Sequence, residues 1–483
     1  MRAKTKIKAK RQKPILQLFG KLLILVVILV SVTLYSDQMG YFNPDATNNH
    51  SIKKWKAFYE FTKQNNIDYL LIGNSHLYTG INPVNLSEVL GGNSFILASP
   101  GTNLADSYFS LKEALKKCKP GIVVIETYGI DNFNPYQQSA VSVSDQIKSF
   151  SARMDFCSKV FSTPFLFNID NYIYAWSNTI RNHNYIFSNR EQIEKNKKLS
   201  NKKKKEKKLY LGRFVRFTTG LEEATLKKYN SEGAPVDGTD YSYGESAEIY
   251  TQKIVDLCKK EGIELMFLTL PMYEKHIKNY PVWRIKLAEI LQKYPNKWLN
   301  LQQADFIKDF TPECFENTYN KNQHITYLGS LIASYKLADF IKNNFKLDIP
   351  DRSKNKEWHE LFYGKEGYFT NFKPNDTDKE NKIICSNKTF NNITIKELLL
   401  LKSAKNKSKM LMLKVDKKHL EHFDWDLYKL QLIIEFVEDG KKRGALSEMK
   451  FDKYHTFPDY FIFVQNVSPL NFTKVLNIKI IKK

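Results

Sequence analysis

Residues 68–76 read DYLLIGNSH, an apolar run that ends in a glycine, an asparagine, a serine and a histidine. A short apolar run without polar alternation is typical of a strand that is covered on both faces of a parallel sheet. Ligands of such sheets bind beyond the carboxyl ends of the strands. The stretch therefore predicts a buried strand that presents Ser75 at a functional edge, and the alternative is an ordinary polar turn.

The same kind of run recurs along the chain. The further predicted strands are Phe95–Ala98, Ile122–Ile125, Leu265–Leu270 and Trp298–Leu301. Between them, helical spacing puts apolar side chains on one face, as for Leu104, Tyr108, Leu111 and Leu115. Alternating strands and helices predict an α/β domain over residues 50–345, with a doubly wound parallel sheet.

Two parts of the chain depart from this pattern. Residues 132–245 are too long for one crossover, which predicts a helical insertion that carries a disordered basic loop at 195–208. We expect that loop to be solvated, and contact with anionic lipid or an acidic polymer is the alternative. After a linker at 346–380, short apolar runs between polar turns predict a small all-β, sandwich-like domain at 381–483. The runs are Ile383–Cys385, Ile393–Ile395, Met410–Val415, Leu430–Phe436, Tyr460–Val464 and Val475–Ile481, and Leu398–Leu401 fits either a helix or a strand.

The distribution of charge excludes one class of function. Most of the formal net charge of +23 lies in residues 1–13 and 195–208. Neither segment interleaves aromatic side chains with its basic ones, as a surface for single-stranded nucleic acid does. The sequence therefore does not predict a nucleic-acid partner.

An apolar segment at residues 15–35 follows a basic arm at 1–14. Its length and composition are those of a bilayer span, and Lys21 can reach the headgroups. Basic residues before the segment and Asp37 after it orient the amino terminus inward. We predict an uncleaved single-pass membrane anchor, with the bulk of the chain outside the cytoplasm. A cleaved signal peptide is the alternative, although no small-x-small cleavage site follows the segment.

The cysteines and histidines do not indicate a metal site. The five cysteines are scattered and never have a C-x-x-C spacing, which argues against a disulfide framework and against zinc. Cys258 falls on the apolar face of a predicted helix, so we expect it in the core. The sequence predicts no metal and no cofactor.

Nucleophilic acyl chemistry needs a hydroxyl, a nearby base, and N–H donors for the developing oxyanion. Ser75 follows the first predicted strand, and Gly101 lies in the loop after the second. His324 comes just before the last predicted helix, for which Thr326 is the expected N-cap. Ser75 and His324 can supply the first two groups, and the N–H groups of Ser75 and Gly101 can supply the third.

This order of motifs resembles the SGNH (GDSL-type) hydrolase superfamily: Gly-x-Ser after the first strand, a glycine/asparagine loop after the second, and a histidine before the last helix. The resemblance covers about residues 65–345, without the insertion. It implies a sheet of flavodoxin-like order and a place in a bacterial inner membrane. With the anchor, the chain is similar to a membrane-tethered branch that includes DltD-like D-alanyl-transfer proteins and alginate O-acetyltransferase-like proteins. Those proteins act on extracytoplasmic polymers, usually beside a multi-spanning membrane acyltransferase that delivers the acyl group.

The resemblance implies a role for each matching residue. Ser75 would be the nucleophile, His324 the general base, and Gly101 an oxyanion donor. The asparagine of the family has no clean match: Asn132 is nearest by position, and Asn103 is a second choice. His76 would pack in the site or bind substrate.

One element of the family's pattern is missing. Lys321 and Asn322 occupy the positions where an aspartate usually precedes the histidine. Asn322 could orient the imidazole but cannot match the stabilisation of its charge by a carboxylate. Glu126 and Asp131, after the third strand, are substitutes to consider.

The resemblance implies an O-acyltransferase or acylesterase, commonly for acetyl groups, that acts on a cell-surface polysaccharide. The sequence leaves transfer and hydrolysis open, although tethering near a membrane-bound acyl donor favours transfer. By analogy, the C-terminal domain would hold the polymer. The alternative is a catalytically decayed scaffold that binds glycan or a membrane acyltransferase.

Overall fold

The structure is a computed structural model of the 483-residue chain. It describes residues 2–39, 50–130, 143–147, 149–160, 176–182, 221, 227, 245–273, 280–294, 297–316, 324–352, 355, 382–402, 409–424, 427–438, 441–451, 453–456, 459–467 and 471–482. The basic loop at 195–208, most of the predicted insertion and most of the predicted linker lie outside these residues. So do Asp131, Asn132, Lys321 and Asn322.

Five parallel strands form the central sheet. They are β1 (Tyr69–Gly73), β2 (Ser94–Ala98), β3 (Ile122–Glu126), β4 (Glu264–Thr269) and β5 (Lys297–Asn300). The order is β2-β1-β3-β4-β5, and every neighbouring pair is parallel. Each strand overlaps one predicted from an apolar run, because both faces of the sheet are covered. The predicted parallel α/β sheet is therefore confirmed. The strand order reverses direction between β1 and β3, so ligands are expected beyond the carboxyl ends of these two strands.

Helices cover both faces of the sheet. The helices are α1 (Arg2–Met39), α2 (His50–Phe61), α3 (Ser75–Gly80), α4 (Pro83–Leu90), α5 (Leu104–Ala114), α6 (Phe150–Val160), α7 (Asn178–Asn182), α8 (Glu245–Glu261), α9 (Tyr280–Gln292), α10 (Ala304–Ile307) and α11 (Tyr327–Asn344). Side chains of α2, α5, α6, α8 and α9 form the core on one face, and those of α3, α4 and α11 form the core on the other. Cys258 of α8 is buried in the first core, as expected.

An all-β unit follows the α/β part. Its strands are β6 (Lys382–Phe390), β7 (Ile393–Lys402), β8 (Lys409–Asp416), β9 (Tyr428–Glu438), β10 (Lys441–Phe451), β11 (Lys453–Thr456), β12 (Tyr460–Val467) and β13 (Asn471–Lys482). They form two antiparallel sheets, β11-β12-β8-β7-β6 and β10-β9-β13, which share a core that includes Ile395, Leu413, Leu432 and Ile478. Every predicted run is part of a strand, and the ambiguous Leu398–Leu401 belongs to β7. The sequence analysis missed β10 and β11.

The all-β unit packs on the face of the central sheet that carries α11. Leu399 and Met412 join the core that Leu331 of α11 helps to form. The Tyr460 hydroxyl donates a hydrogen bond of 2.8 Å to the Tyr335 hydroxyl, and both side chains are buried. Buried hydroxyls need hydrogen-bond partners, so this directional contact favours one orientation of the two units. The all-β unit therefore lies on the side of the sheet opposite α5, α6 and α8.

The N-terminal helix carries one stretch that is long and apolar enough to cross a membrane. It runs from Pro14 to Asp37, with a mean hydropathy of 2.6, and its most apolar window is not buried. Leu16 and Phe19 are 69% and 67% exposed. A membrane span and a signal sequence both have these properties.

Candidate active site

Ser75 is the first residue of α3, directly beyond the carboxyl end of β1. The Asn74 side chain caps this helix by accepting a hydrogen bond of 2.9 Å from the His76 N–H. Asn74 and His76 are buried, whereas Ser75 is partly exposed. The cap thus fixes the turn after β1 and leaves the serine accessible at the edge of the sheet.

His324 is held by a short antiparallel pairing next to the start of α11. Phe315 and Ile325 form a β-bridge, and the Glu316 N–H donates a hydrogen bond of 3.0 Å to the His324 carbonyl. Thr326 caps α11 as predicted, because its hydroxyl accepts from the Gly329 N–H at 3.3 Å. The backbone of His324 is therefore fixed on both sides of the residue.

The same pairing brings a carboxylate to the imidazole. Glu316 Oε2 lies 3.7 Å from Nδ1 of His324, and the Glu316 side chain is fully buried. The distance is that of an ion pair and exceeds that of a hydrogen bond. A carboxylate on this side of a catalytic histidine orients the ring and stabilises its protonated form. The sequence analysis missed Glu316, because nothing in the local sequence reveals that this residue pairs with His324 across a bridge.

His76 connects the loops after β1 and β3 to His324. Its ring stacks on Tyr128 with centroids 3.9 Å apart and meets the His324 ring edge-on at 5.1 Å. The loop that carries Ser75 therefore adjoins the histidine predicted as its base. Burial, with a contribution from His324, lowers the pKa of His76 well below its ordinary value. His76 is thus a neutral packing partner of His324 in this site.

The low pKa of His76 makes the stability of the fold depend on pH. Below about pH 6.5 the unfolded chain binds a proton at His76 that the folded chain does not, so stability falls as the pH falls. We expect the free energy of unfolding to drop by up to about 1.4 kcal/mol per pH unit below that value on account of this residue. Urea denaturation at pH 7.5 and 5.5 would show a smaller drop for His76→Phe, which keeps a ring against Tyr128. An equal drop in both proteins would contradict this account.

The loop after β2 contains the predicted oxyanion donor. Gly101 has a φ of 65°, which favours glycine. Thr102 Oγ1 donates to the Ser99 carbonyl at 2.8 Å. The Asn103 side-chain oxygen caps α5 by accepting from the Asp106 N–H at 2.9 Å, so this oxygen has a structural task. Asn132 and Asn322, the other amide side chains predicted for the site, lie outside the described residues.

The turn after β3 is in close contact with the loop after β2. A Cβ at Gly129 would lie 2.4 Å from the Thr102 carbonyl oxygen, a distance that real Cβ atoms do not reach. We expect Gly129→Ala to displace the loop and to lower the free energy of unfolding by about 1–3 kcal/mol. The midpoint temperature of thermal unfolding would fall. An unchanged midpoint would show that the two loops are not in contact.

Two further buried ionisable groups lie at this edge of the sheet. Glu126 Oε1 accepts from the Tyr128 N–H at 2.8 Å, so the structure places this carboxylate beneath the turn after β3. Lys54 Nζ donates to the Ala98 carbonyl at 2.5 Å and lies 3.5 Å from the centroid of the Tyr78 ring. Burial lowers the pKa of Lys54 well below its ordinary value. The sequence analysis missed Lys54, and α2 gives no signal that would single it out. No group of three or more metal-ligating side chains occurs among the residues that the structure describes.

The fold defines an α/β protein with an appended all-β unit, and His76, which follows Ser75, contacts His324 at the edge of its parallel sheet. No protein-family model matches the sequence, and no curated protein matches it. Among solved structures, the chain is similar to a two-domain esterase active on acetylated mannans, which was co-crystallised with mannopentaose. The identity is 9% and the TM-score 0.25, over 89% of this chain and 94% of that one.

Proposed function

We propose that this protein is an SGNH-type serine acyltransferase or acylesterase that acts outside the cytoplasm on a cell-surface polysaccharide. The observation that supports this proposal is that His324 lies against the ring of the residue that follows Ser75 and beside a buried carboxylate. Ser75 begins α3, the ring of its neighbour His76 contacts His324, and Glu316 lies 3.7 Å from His324. A hydroxyl, an imidazole and a carboxylate in this order are the parts of a nucleophilic acyl-transfer site.

The proposed reaction has two steps. Ser75 Oγ attacks the ester carbonyl while His324 takes its proton, and the Glu316 carboxylate stabilises the resulting imidazolium. The N–H groups of Ser75 and Gly101 stabilise the oxyanion. The imidazolium then protonates the departing alcohol, which leaves an acyl group on Ser75. In the second step His324 removes a proton from a sugar hydroxyl or from water, and this oxygen attacks the acyl carbonyl. The bond between the acyl group and Ser75 Oγ then breaks, and the imidazolium returns its proton to Ser75 Oγ.

The remaining predictions become parts of the same proposal. The basic arm at 1–14 lies inside, residues 15–35 span a bacterial inner membrane, and residues 50–345 form the catalytic domain. The linker at 346–380 joins it to the domain at 381–483, which binds the polymer. A multi-spanning membrane acyltransferase supplies the acyl group.

A non-catalytic scaffold is the second candidate. The observation that favours it is the Nδ1–Oε2 distance of 3.7 Å, which is longer than the hydrogen bond of an assembled triad. Catalytic hydrogen bonds are often long in ligand-free sites and shorten when substrate binds, so this distance does not exclude catalysis.

Intact-mass analysis after incubation with p-nitrophenyl acetate separates the two candidates. The proposal expects one acetyl group on Ser75, located by peptide mapping, and no such adduct in Ser75→Ala. Ser151→Ala is the matched control, because Ser151 is also a serine near the start of a helix. Equal adducts in all three proteins would favour the scaffold. Adding oligosaccharides of the envelope and following the label onto sugar or into free acetate then distinguishes transfer from hydrolysis.

A further inference from the structure

The N-terminal helix changes character at its carboxyl end. Leu16, near the start of the apolar span, is 69% exposed. The Asp37 side chain, at the end of that span, is only 4% exposed. An ionisable side chain is buried only where it has partners. The end of α1 is therefore in contact with the rest of the chain.

Asp37 contacts two segments that we call the collar, residues 143–160 and 176–182 in their described parts. Its Oδ1 accepts hydrogen bonds from the Thr179 N–H at 2.7 Å and from the Ser177 hydroxyl at 3.3 Å. Its Oδ2 lies 3.5 Å from an Nη1 of Arg153. Both carboxylate oxygens of Asp37 are thus engaged by the collar.

The collar is itself braced by charged groups. Arg153 donates from Nε to the Ile147 carbonyl at 3.0 Å and from Nη1 to the Trp176 carbonyl at 3.1 Å. Arg181 and Asp145 form an ion pair at 2.8 Å. Burial raises the pKa of Asp145, and the adjacent Arg181 guanidinium opposes that rise. Removing one member of such a buried network leaves another without its partner, which is costly.

The position of Asp37 along the helix sets the height of the collar. At about 1.5 Å per residue, the 24 residues from Pro14 to Asp37 extend about 36 Å, which exceeds the hydrocarbon thickness of about 30 Å. Asp37 then lies in the headgroup layer of any bilayer that α1 spans. The collar, which contacts Asp37 directly, lies there too.

The collar and the all-β unit are on opposite faces of the central sheet. Val143, Ile147 and Phe156 pack into the core that contains α5 and α8. Leu399 and Met412 of the all-β unit pack into the core that contains α11. A bilayer against the collar therefore places the sheet between the membrane and the all-β unit.

We propose that α1 is docked on the collar through Asp37, so that the collar rests on lipid headgroups and the all-β unit points away from the membrane. The inference rests on the proposed membrane placement and goes beyond it, because an anchor alone would allow a flexible stalk. The docked arrangement holds the candidate active site at one height above the bilayer. It also directs the all-β unit towards the polymer layer.

Depth measurements on the full chain in nanodiscs test this orientation. A fluorophore is attached to Ser149→Cys in the collar or to Lys388→Cys in the all-β unit, both exposed positions, and lipids with a headgroup nitroxide act as quenchers. Cys118, Cys157, Cys258 and Cys314 are buried, so they should react little with the fluorophore. Wild-type protein labelled in parallel gives the background from all native cysteines, Cys385 included. We expect at least about twofold stronger quenching at position 149 than at 388, because the headgroup layer is thin.

Variants at Asp37 separate docking from anchoring. Asp37→Ala, and Asp37→Asn if the first variant folds poorly, should reduce quenching at position 149 while the protein stays in the nanodisc. Asp155→Asn, an acid of α6 outside the Asp37 contacts, should leave the quenching unchanged. Equal quenching at 149 and 388, or no effect of either Asp37 variant, would overturn the docked arrangement while the anchor stands. An intact mass equal to that of a chain cleaved after residue 36 would instead overturn the membrane placement itself, together with docking.

Discussion

Ser75→Ala is expected to abolish acyl-enzyme formation and to slow ester cleavage by on the order of 10⁴-fold or more, because the Ser75 hydroxyl is the proposed acceptor of the acyl group. Residual cleavage would come from binding and from the oxyanion donors alone. The rate of p-nitrophenol release under single-turnover conditions measures this loss. Since Ser75 is partly exposed at the first residue of α3, removing one oxygen leaves the helix cap at Asn74 intact.

The control for this variant is its stability. Ser75→Ala should unfold at the same urea concentration as wild type, because the hydrogen bonds of the Asn74 cap do not use the serine hydroxyl. A large loss of rate with unchanged stability would assign the nucleophile. Unchanged single-turnover rates would remove Ser75 from the mechanism and leave the scaffold candidate in its place.

Glu316→Gln is expected to lower kcat by about 10²–10⁴-fold with little change in KM, because the amide cannot stabilise the protonated imidazole in the transition state. Steady-state kinetics at one fixed pH measure kcat and KM.

Glu313→Gln is the matched control for Glu316, since Glu313 is also a buried glutamate of the same segment. We expect near wild-type kinetics from Glu313→Gln and partial recovery of kcat in Glu316→Asp. Similar losses in the two glutamine variants would indicate a general disturbance of the segment before α11. The role of the carboxylate beside His324 would then be unsupported.

The five strands of the central sheet could be predicted from the sequence because they are buried on both faces of that sheet. β1, β2 and β3 are short, almost wholly apolar and bounded by polar turns, so their composition alone indicates that they are buried. β10 reads KKRGALSEMKF, in which charged residues interrupt the apolar pattern from which a strand would be predicted. Its pairing with β9 is a tertiary property that composition does not show.

The candidate site was predictable where the spacing along one chain segment decided it. Ser75 follows a strand and His324 precedes a capped helix, and both positions can be read locally. Glu316 is different, because it reaches His324 through the Phe315–Ile325 bridge. The contact of Asp37 with Thr179 also joins distant segments. From the sequence, Asp37 was expected only to help orient the N-terminal segment in the membrane. Hydropathy and spacing describe neighbours along the chain, whereas these contacts depend on how the chain returns on itself.

The separation of Ser75 and His324 along the chain has a consequence for biosynthesis. β1 is the first strand of the sheet, and α11, whose first turn follows His324, is its last covering helix. Contacts between such distant segments form late in folding, because the loop that they close is long. On the proposed mechanism, a chain still emerging from the ribosome or a translocation channel therefore carries Ser75 without its base. We expect such a nascent chain to be inert towards esters until the segment that carries His324 has packed on the sheet.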